Sequence, residues 1–223
     1  MRSRKIAFVP LVVGLLAGMG PASAAPCSTA SLSAYQAIGA GACSVGSLTL
    51  SNFFIEAFPG VAATQIAPTS VLVTPLANGF QLSSGTVLFA PANELLGLRF
   101  LFDASAMSLT GGTVALGGQN SVSGDGVITG ILDAGPAGTA IALISGAVND
   151  TPMSFSTTPI PTYNVSFELG VDGGTVGSAG LGPVLASLTF AVAQAVPEPD
   201  TAALALFGLL ATFANRRRVS TRV

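Results

Sequence analysis

The segment Tyr163-Asn164-Val165-Ser166-Phe167-Glu168-Leu169-Gly170-Val171 alternates apolar and small or polar residues with a period of two. Successive side chains of a β-strand point to opposite faces, so this alternation places one face of the segment on a core and the other in solvent. Segments 96–103 and 184–192 show the same alternation. We therefore predict half-buried strands at all three positions.

Shorter apolar runs separated by turn residues occupy the rest of the central region. The further candidate strands are 70–74, 80–83, 86–89, 113–116, 126–132 and 140–144. The turn signals between strands are Asn78-Gly79, Gly111-Gly112, Gly117-Gly118, Gly124-Asp125-Gly126, Gly135-Pro136 and Asp172-Gly173-Gly174. Asn-Gly and Asp-Gly between apolar runs are typical of hairpins. A helical period occurs only over 31–38.

About ten short strands joined by glycine-rich turns predict an all-β fold, an antiparallel β-sandwich. A parallel β-helix is the alternative architecture. It is disfavoured because the sequence has no fixed short repeat.

The first residues of the chain have the pattern of an export signal. Basic residues within 2–5 precede an apolar stretch at 6–19, and Ala22-Ser23-Ala24 supplies small residues in an Ala-x-Ala pattern. This predicts a secretory signal peptide at 1–24, read by the Sec translocon and cleaved after its last residue. A transmembrane helix is the alternative, but the apolar run is short and contains Pro10.

The last residues of the chain form three consecutive blocks. Val196-Pro197-Glu198-Pro199-Asp200 precedes an uncharged apolar run at 201–214, and Arg216-Arg217-Arg218 follows it. The prolines favour an extended, accessible backbone, whereas the apolar run is rich in helix formers. The arginines are costly to move through a bilayer and hold that end on the cytoplasmic side. The run is shorter than the roughly 20 residues of a stable span.

These three blocks closely resemble the PEP-CTERM sorting signal of Gram-negative bacteria, which the membrane protease exosortase processes. The resemblance implies that Pro197, Glu198 and Pro199 are the sorting motif and that the arginines anchor the basic tail 215–223. It also implies transient insertion in the inner membrane through a transmembrane helix at 201–214, then delivery to the cell surface or the exterior. An uncut short anchor, or an apolar helix packed on the domain, are the alternatives.

The two signals leave residues 25–195 as the exported passenger, followed by the sorting signal at 196–223. Arg99 is the single basic residue of this passenger, against eight acidic residues, which gives a net charge of −7. A surface this acidic repels phosphate backbones, so nucleic-acid binding is excluded. The passenger's length suits one domain with its own core.

Cys27 and Cys43 are the two cysteines of the chain, and both follow the predicted cleavage site. An even pair in an oxidising compartment predicts a structural disulfide. A redox pair and a metal site are the alternatives, but the sequence has no Cys-x-x-Cys spacing and no histidine.

The sequence around these cysteines also resembles the opening of a group of uncharacterised secreted PEP-CTERM proteins. There a cysteine pair brackets a short helix and precedes a Phe-Ser-Asn-Phe-like strand. Ser31-Leu32-Ser33-Ala34-Tyr35 and Leu50-Ser51-Asn52-Phe53 carry the likeness here, with Leu50 in place of the first aromatic residue. The resemblance adds a hint about the fold and implies no chemistry.

The residues for common catalytic chemistry are missing from the sequence. Without histidine, Ser-His-Asp and Cys-His catalysis and imidazole-based zinc sites are excluded. The passenger has no lysine for a phosphate-binding loop, and nothing in the sequence pairs its carboxylates. Asp125 and Asp172 precede glycines, where aspartate usually caps a turn, although calcium binding there is an alternative. We expect no catalytic residue, no metal and no cofactor.

The sequence therefore predicts a non-enzymatic exported protein of the surface or extracellular matrix. The sorting resemblance adds an association with exopolysaccharide and biofilm. A glycan- or ligand-binding surface module is the alternative. The first function predicts a featureless polar surface, and the second requires a concave face lined by side chains such as Asn, Gln or Asp. Most phenylalanines have the spacing of core residues, and Asn164-Val165-Ser166 is interpreted as plain strand.

Overall fold

The computed structural model describes residues 24–59 and 63–193. These residues form sixteen β-strands, one α-helix (α1, Leu32–Ile38) and two 3₁₀ helices (Pro68–Ser70 and Gly135–Ala137). The strands are β1 (Ala25–Pro26), β2 (Ala30–Ser31), β3 (Ala42–Val45), β4 (Leu48–Glu56), β5 (Thr64–Gln65), β6 (Val71–Leu76), β7 (Gly79–Ser84), β8 (Leu88–Pro91), β9 (Leu95–Leu116), β10 (Asn120–Ser123), β11 (Val127–Asp133), β12 (Thr139–Ser145), β13 (Asn149–Asp150), β14 (Met153–Asp172), β15 (Ser178–Leu181) and β16 (Val184–Val192).

Two sheets contain all the described strands. The large sheet has thirteen strands in the order β13-β12-β11-β14-β9-β16-β7-β6-β2, with β4 and β5 paired to β9 and with β3 joining β4 to β1. The small sheet has the order β10-β15-β8. Every pairing is antiparallel except the two-residue contacts of β1 with β3 and of β5 with β9. The predicted all-β, antiparallel fold is therefore confirmed.

Strand β9 passes from one layer of the sandwich into the other. Its first half pairs with β4 and with the second half of β14, whereas its second half pairs with β16 and the first half of β14. Phenylalanines from the two halves of the large sheet meet between these layers. The ring centroids of Phe80 on β7 and Phe102 on β9 lie 5.5 Å apart. The single large sheet thus folds over its own core.

The core is dominated by aromatic side chains from the alternating segments. Phe100 and Phe102 are almost fully buried and lie next to Phe53 and Phe190. Full burial of one such ring contributes about 1.5–3 kcal/mol. Tyr163, predicted to face the core, is 1% exposed. The period of two therefore assigned these strand faces correctly.

The predicted turn at Gly111-Gly112 is wrong. Both residues lie inside β9, which joins the expected strands 96–103 and 113–116 into one strand of 22 residues. A Cβ on Gly111 would lie 2.4 Å from the backbone oxygen of Phe155, and one on Gly112 would lie 2.7 Å from its ring. Glycine here permits close approach of β14. Most of the strands that were not among the candidate strands are two to four residues long.

Helix α1 forms where the helical period was expected. The side chain of Ser31 accepts a hydrogen bond from the backbone N–H of Ala34 at 3.2 Å, an N-cap that satisfies one of the free donors of the first turn. Leu32 and Tyr35 are buried beneath the helix, and the Tyr35 hydroxyl donates to the carbonyl of Ser28 at 2.7 Å. Gly39 ends the helix with a φ of 58°.

Helix α1 is also too short to cross a membrane. Across 24–59 and 63–193, the structure contains no helix with the length and apolar character that a membrane span needs.

Candidate functional site

The outer face of the large sheet contains a groove of about 420 Å³. Three neighbouring strands, β4, β9 and β14, supply most of its lining, and the end of β11 with its following turn closes one side. The lining residues are Asn52, Phe54, Leu101, Phe102, Asp103, Asp133, Gly135, Asn164, Val165 and Ser166. This volume falls within the range of about 300–1,000 Å³ that is usual for small-molecule sites.

Strand register arranges the outward-facing side chains of the groove in two adjacent rows. In the first row, Phe54 lies opposite Leu101, Leu101 opposite Ser166, and Ser166 opposite Asp133. In the second row, Asp103 on β9 lies opposite Asn164 on β14. Directly opposite residues of antiparallel strands have their Cβ atoms about 4.5–5.5 Å apart. The sheet therefore places the apolar part of the first row, Phe54 and Leu101 (the apolar row below), beside the second, polar row.

Asp103 forms the centre of the polar row. The side-chain amide of Asn164 donates to one carboxylate oxygen at 2.6 Å, and the side-chain amide of Asn52 donates to the other. A carboxylate that accepts an N–H on each oxygen is held in one orientation, and it fixes both amides in turn.

A bulge in β4 delivers Asn52 to this position. The pairing of β4 with β9 shifts register between Ser51 and Phe54, and Asn52 adopts a φ of 55°. Bulges redirect side chains and occur often beside functional sites. Asparagine tolerates the left-handed region better than most residues. Without this local shift, the Asn52 side chain would not project into the groove beside Asp103.

Phe54 and Leu101 form the apolar part of the groove. Phe54 is 52% exposed although it is a large aromatic side chain. Phe89, on β8 of the small sheet, is also 55% exposed. Most phenylalanines were expected to have core positions, and these two are exceptions. An exposed aromatic ring beside hydrogen-bonding groups is typical of binding surfaces rather than of plain sheet faces.

Asp133 forms the wall of the groove on the β11 side. One of its carboxylate oxygens accepts from the backbone N–H of Gly135 and from the hydroxyl of Thr139, both at 3.0 Å. These bonds hold the β11–β12 turn, where the sequence predicted a turn at Gly135-Pro136. Asp133 therefore has a structural role and also contributes negative charge to the groove.

The neighbouring row of the same face contains the passenger's single arginine. Arg99 pairs with Glu56 at 3.1 Å and with Glu168 at 3.2 Å, and its Nε donates to the Ser166 hydroxyl at 3.3 Å. Glu56 and Glu168 thus flank the one cation, and Asp103 and Asp133 add two further carboxylates in the adjacent rows. Together, Arg99, Glu56, Glu168, Asp103 and Asp133 carry a net charge of −3.

The two aspartates that were expected to cap turns lie away from the groove; Asp172 caps its own turn, whereas Asp125 binds a distant loop. Asp172 accepts from the backbone N–H of Gly174 at 2.8 Å. Asp125 accepts from the hydroxyl of Thr175 at 2.6 Å and from the backbone N–H groups of Thr175 and Val176. The Thr175 hydroxyl and these N–H groups lower the pKa of the Asp125 carboxyl. No group of three or more metal-ligating His, Cys, Asp or Glu side chains occurs within the described ranges.

Cys27 and Cys43 form the predicted disulfide. Their Cα atoms lie 4.8 Å apart, across the loop that contains α1. Cys43 is buried, and the backbone N–H of Cys27 donates to the carbonyl of Ser44 at 2.9 Å. The bond therefore joins the first described strand to β3.

The predicted sorting residues Pro197, Glu198 and Pro199 lie outside the described residues, as do Arg216, Arg217 and Arg218. The signal peptide and the apolar run 201–214 fall there too and stay predictions.

Sequence reasoning missed the groove residues Asn52, Phe54, Asp103 and Asn164. The available signal was the alternation of strands 96–103 and 163–171, which places Asp103 and Asn164 on outward faces. Their pairing needs the register between β9 and β14, which alternation alone does not contain.

Comparison with known proteins identifies the region beyond the β-sandwich. The family model described as the PEP-CTERM protein-sorting motif matches residues 195–218, which include the predicted Pro-Glu-Pro motif and the arginine cluster. No curated protein and no protein of solved structure matches this chain. The chain thus carries a PEP-CTERM protein-sorting motif at residues 195–218, and it is an exported substrate of the sorting protease exosortase.

Proposed function

We propose that this chain is a non-enzymatic protein of the cell surface or extracellular matrix that associates with exopolysaccharide in biofilm. The Sec translocon exports it through the signal peptide at 1–24, and the β-sandwich of 25–195 is the exported passenger. The segment 201–214 inserts transiently in the inner membrane until exosortase releases the passenger. The match of the sorting motif to residues 195–218 is the observation that carries this proposal.

The composition of the passenger supports a role other than catalysis. It has no histidine and no lysine, so imidazole general bases and side-chain amine nucleophiles are absent from its sequence. Asp103, in the groove, already accepts an amide N–H on each carboxylate oxygen. A carboxylate held in this way has a fixed orientation, which suits recognition of a ligand.

A glycan-binding surface module is the second candidate function, and the groove is the observation that favours it. A purely structural function would predict a featureless polar surface. The outer sheet face instead has a concavity lined by Asn52, Asp103 and Asn164. Both candidate functions share export by exosortase. They differ in whether the passenger holds polysaccharide through a defined site.

Replacement of the sorting motif tests the proposed export. The triple variant Pro197→Ala, Glu198→Ala and Pro199→Ala removes both the prolines, which favour an extended backbone, and the acidic side chain that a protease would recognise. In a host that carries exosortase, we expect an unprocessed precursor in the membrane fraction, whereas the wild-type product is shorter and released. Immunoblots of fractionated cells and mass spectrometry of the released chain make the measurement.

The variant Gln194→Ala is the matched control, because it changes the residue just before the matched segment 195–218 and leaves the sorting motif intact. It should be processed and released like the wild type. Normal processing of the triple variant would reject sorting by exosortase and favour an uncut anchor or a packed apolar helix.

A further inference from the structure

We propose that the groove on the outer face of β4, β9 and β14 binds a segment of a neutral saccharide chain. This inference rests on the proposed function, in which the protein associates with extracellular polysaccharide, and it assigns that association to a site. Asn52, Asp103 and Asn164 supply the hydrogen bonds, and Phe54 with Leu101 supplies the apolar contact.

The polar row has unused hydrogen-bonding capacity of the kind that sugar hydroxyls need. Each of the two asparagine amides donates one N–H to Asp103. A side-chain amide has two N–H donors and a carbonyl acceptor, so each retains one donor and its acceptor. Those remaining groups make no other hydrogen bond in the part of the chain that the structure describes. Saccharide hydroxyls both donate and accept, and they can pair with both kinds of group.

The apolar row complements the other chemical face of a sugar ring. A pyranose presents C–H groups beside its hydroxyls, and the C–H groups pack well on an aromatic ring. Phe54 is half exposed on the same face, directly opposite Leu101 in the strand register. Ligand sites generally combine an apolar lining with a few placed polar groups. Phe54 and Leu101 therefore complete a site that hydrogen bonds alone would leave weak.

The charge of the face selects against acidic sugars. Asp103 and Asp133 line the groove, and Glu56 and Glu168 stand in the next row with Arg99 as their one cation. A uronate or a sulfated sugar would bring its own negative charge next to these carboxylates. A neutral saccharide avoids that repulsion. The groove therefore fits uncharged hexose chains.

The geometry of the groove is already fixed before a ligand binds. Its side chains project from paired strands rather than from loops, and Asp103 holds both amides in place. A preorganised site loses less conformational freedom when it binds its ligand. The left-handed conformation of Asn52 in the β4 bulge brings the second amide into this preorganised site.

A binding experiment on the full chain tests this site. The protein is kept in a zwitterionic detergent that contains no sugar, and isothermal titration calorimetry measures its affinity for cellotetraose and maltotetraose as neutral probes. Tetragalacturonate is the anionic probe, and a deacetylated chitotetraose is the cationic probe. We expect binding to at least one neutral tetrasaccharide, at least tenfold weaker binding to the uronate, and no change with EDTA.

Matched variants locate the binding. We expect Phe54→Ala and Asn164→Ala each to weaken neutral-saccharide binding by tenfold or more. Phe89→Ala removes a ring of similar exposure from the small sheet, and Asn149→Ala removes an exposed asparagine from β13. Both controls should bind like the wild type. Thermal unfolding of each variant verifies that the fold is intact.

Several outcomes would overturn the site. The first is that Phe54→Ala binds the neutral probes as tightly as the wild type does. The second is that the wild type binds neither neutral probe. The third is that EDTA abolishes binding. Binding to the cationic probe alone that disappears in about 1 M NaCl, where the Debye length is about 3 Å, would reveal a charge-based surface instead. Each of these results leaves sorting by exosortase untouched, because the processing of the Pro197–Pro199 variant tests export separately.

Discussion

Aspartates of the same chemistry take different roles at different positions of this chain. Asp103 orients two asparagine amides across neighbouring strands, whereas Asp125 binds the N–H groups and hydroxyl of a distant loop. Asp172 caps its own turn through the N–H two residues ahead. Both Asp125 and Asp172 precede a glycine, so adjacent sequence predicts a turn cap at each, and only Asp172 has that role.

Removal of the disulfide is expected to destabilise the passenger by about 3 kcal/mol. Cys27 and Cys43 are 16 positions apart, so the bond closes a short loop and restricts the unfolded chain. Urea unfolding of Cys27→Ala, Cys43→Ala and the double variant measures the change. All three should lose about the same free energy of unfolding, because each removes the same cross-link. A double variant as stable as the wild type would contradict this prediction.

At the scale of elements, the long strands β9 and β14 organise the sandwich. They pair with each other along both of their halves, and register shifts near Ile160 separate the two paired regions. At Gly111 and Gly112, an added Cβ would meet the backbone or the ring of Phe155 on β14. The Gly-Gly pair suggested a turn in the sequence. In the structure, its lack of side chains instead allows the two strands to pack together.

Gly111→Ala should therefore destabilise the protein, by about 1–3 kcal/mol as overpacking usually does. The new Cβ would meet the backbone oxygen of Phe155, and backbone cannot rotate away as a flexible side chain can. Gly118→Ala is the matched control, since a Cβ there has no atom within 4 Å. Urea unfolding should show the control within about 0.5 kcal/mol of the wild type. Equal stabilities for the two variants would mean that β14 can move aside.

At the scale of the whole molecule, Asp125 ties together the connections between the two sheets. It lies between β10 of the small sheet and β11 of the large sheet. Its partners Thr175 and Val176 lie between β14 of the large sheet and β15 of the small sheet. The Asp125 carboxylate thus holds together the β10–β11 connection and the β14–β15 connection, both of which run between the two sheets.

The stability that Asp125 contributes should depend on pH. Its pKa is lowered in the folded protein from the ordinary 3.8, so its contribution is full above that value. The contribution declines as the pH falls below 3.8, because the unfolded chain takes up a proton that the folded carboxylate does not. Urea unfolding should therefore find Asp125→Asn less stable than the wild type at about pH 5. The difference should shrink toward about pH 2.

Asp150→Asn is the control for this pH dependence, because Asp150 is exposed in the edge strand β13. Its stability should follow that of the wild type at both pH values. If the free energy of unfolding of Asp125→Asn differed from that of the wild type by the same amount at both pH values, the charge of Asp125 would not be what stabilises these connections. Neutral hydrogen bonds would then hold them.

The sequence by itself determined the features that local pattern encodes. Alternation with a period of two assigned Phe100, Phe102 and Tyr163 to the core, because strand geometry turns that period directly into faces. The 31–38 helix and the cysteine pair were predicted for similarly local reasons. The sorting motif at 195–218 is linear, and a contiguous segment is enough to recognise it.

Only the tertiary structure decided where the groove lies and which residues form it. Asn52 and Asn164 are 51 and 61 positions from Asp103, the aspartate that both contact. Their meeting depends on the pairing of β4, β9 and β14 and on the bulge that turns Asn52 outward. A shift of one residue in either register would point these side chains to the opposite face. Register is set by the packing of the whole core, which no single segment of this sequence contains.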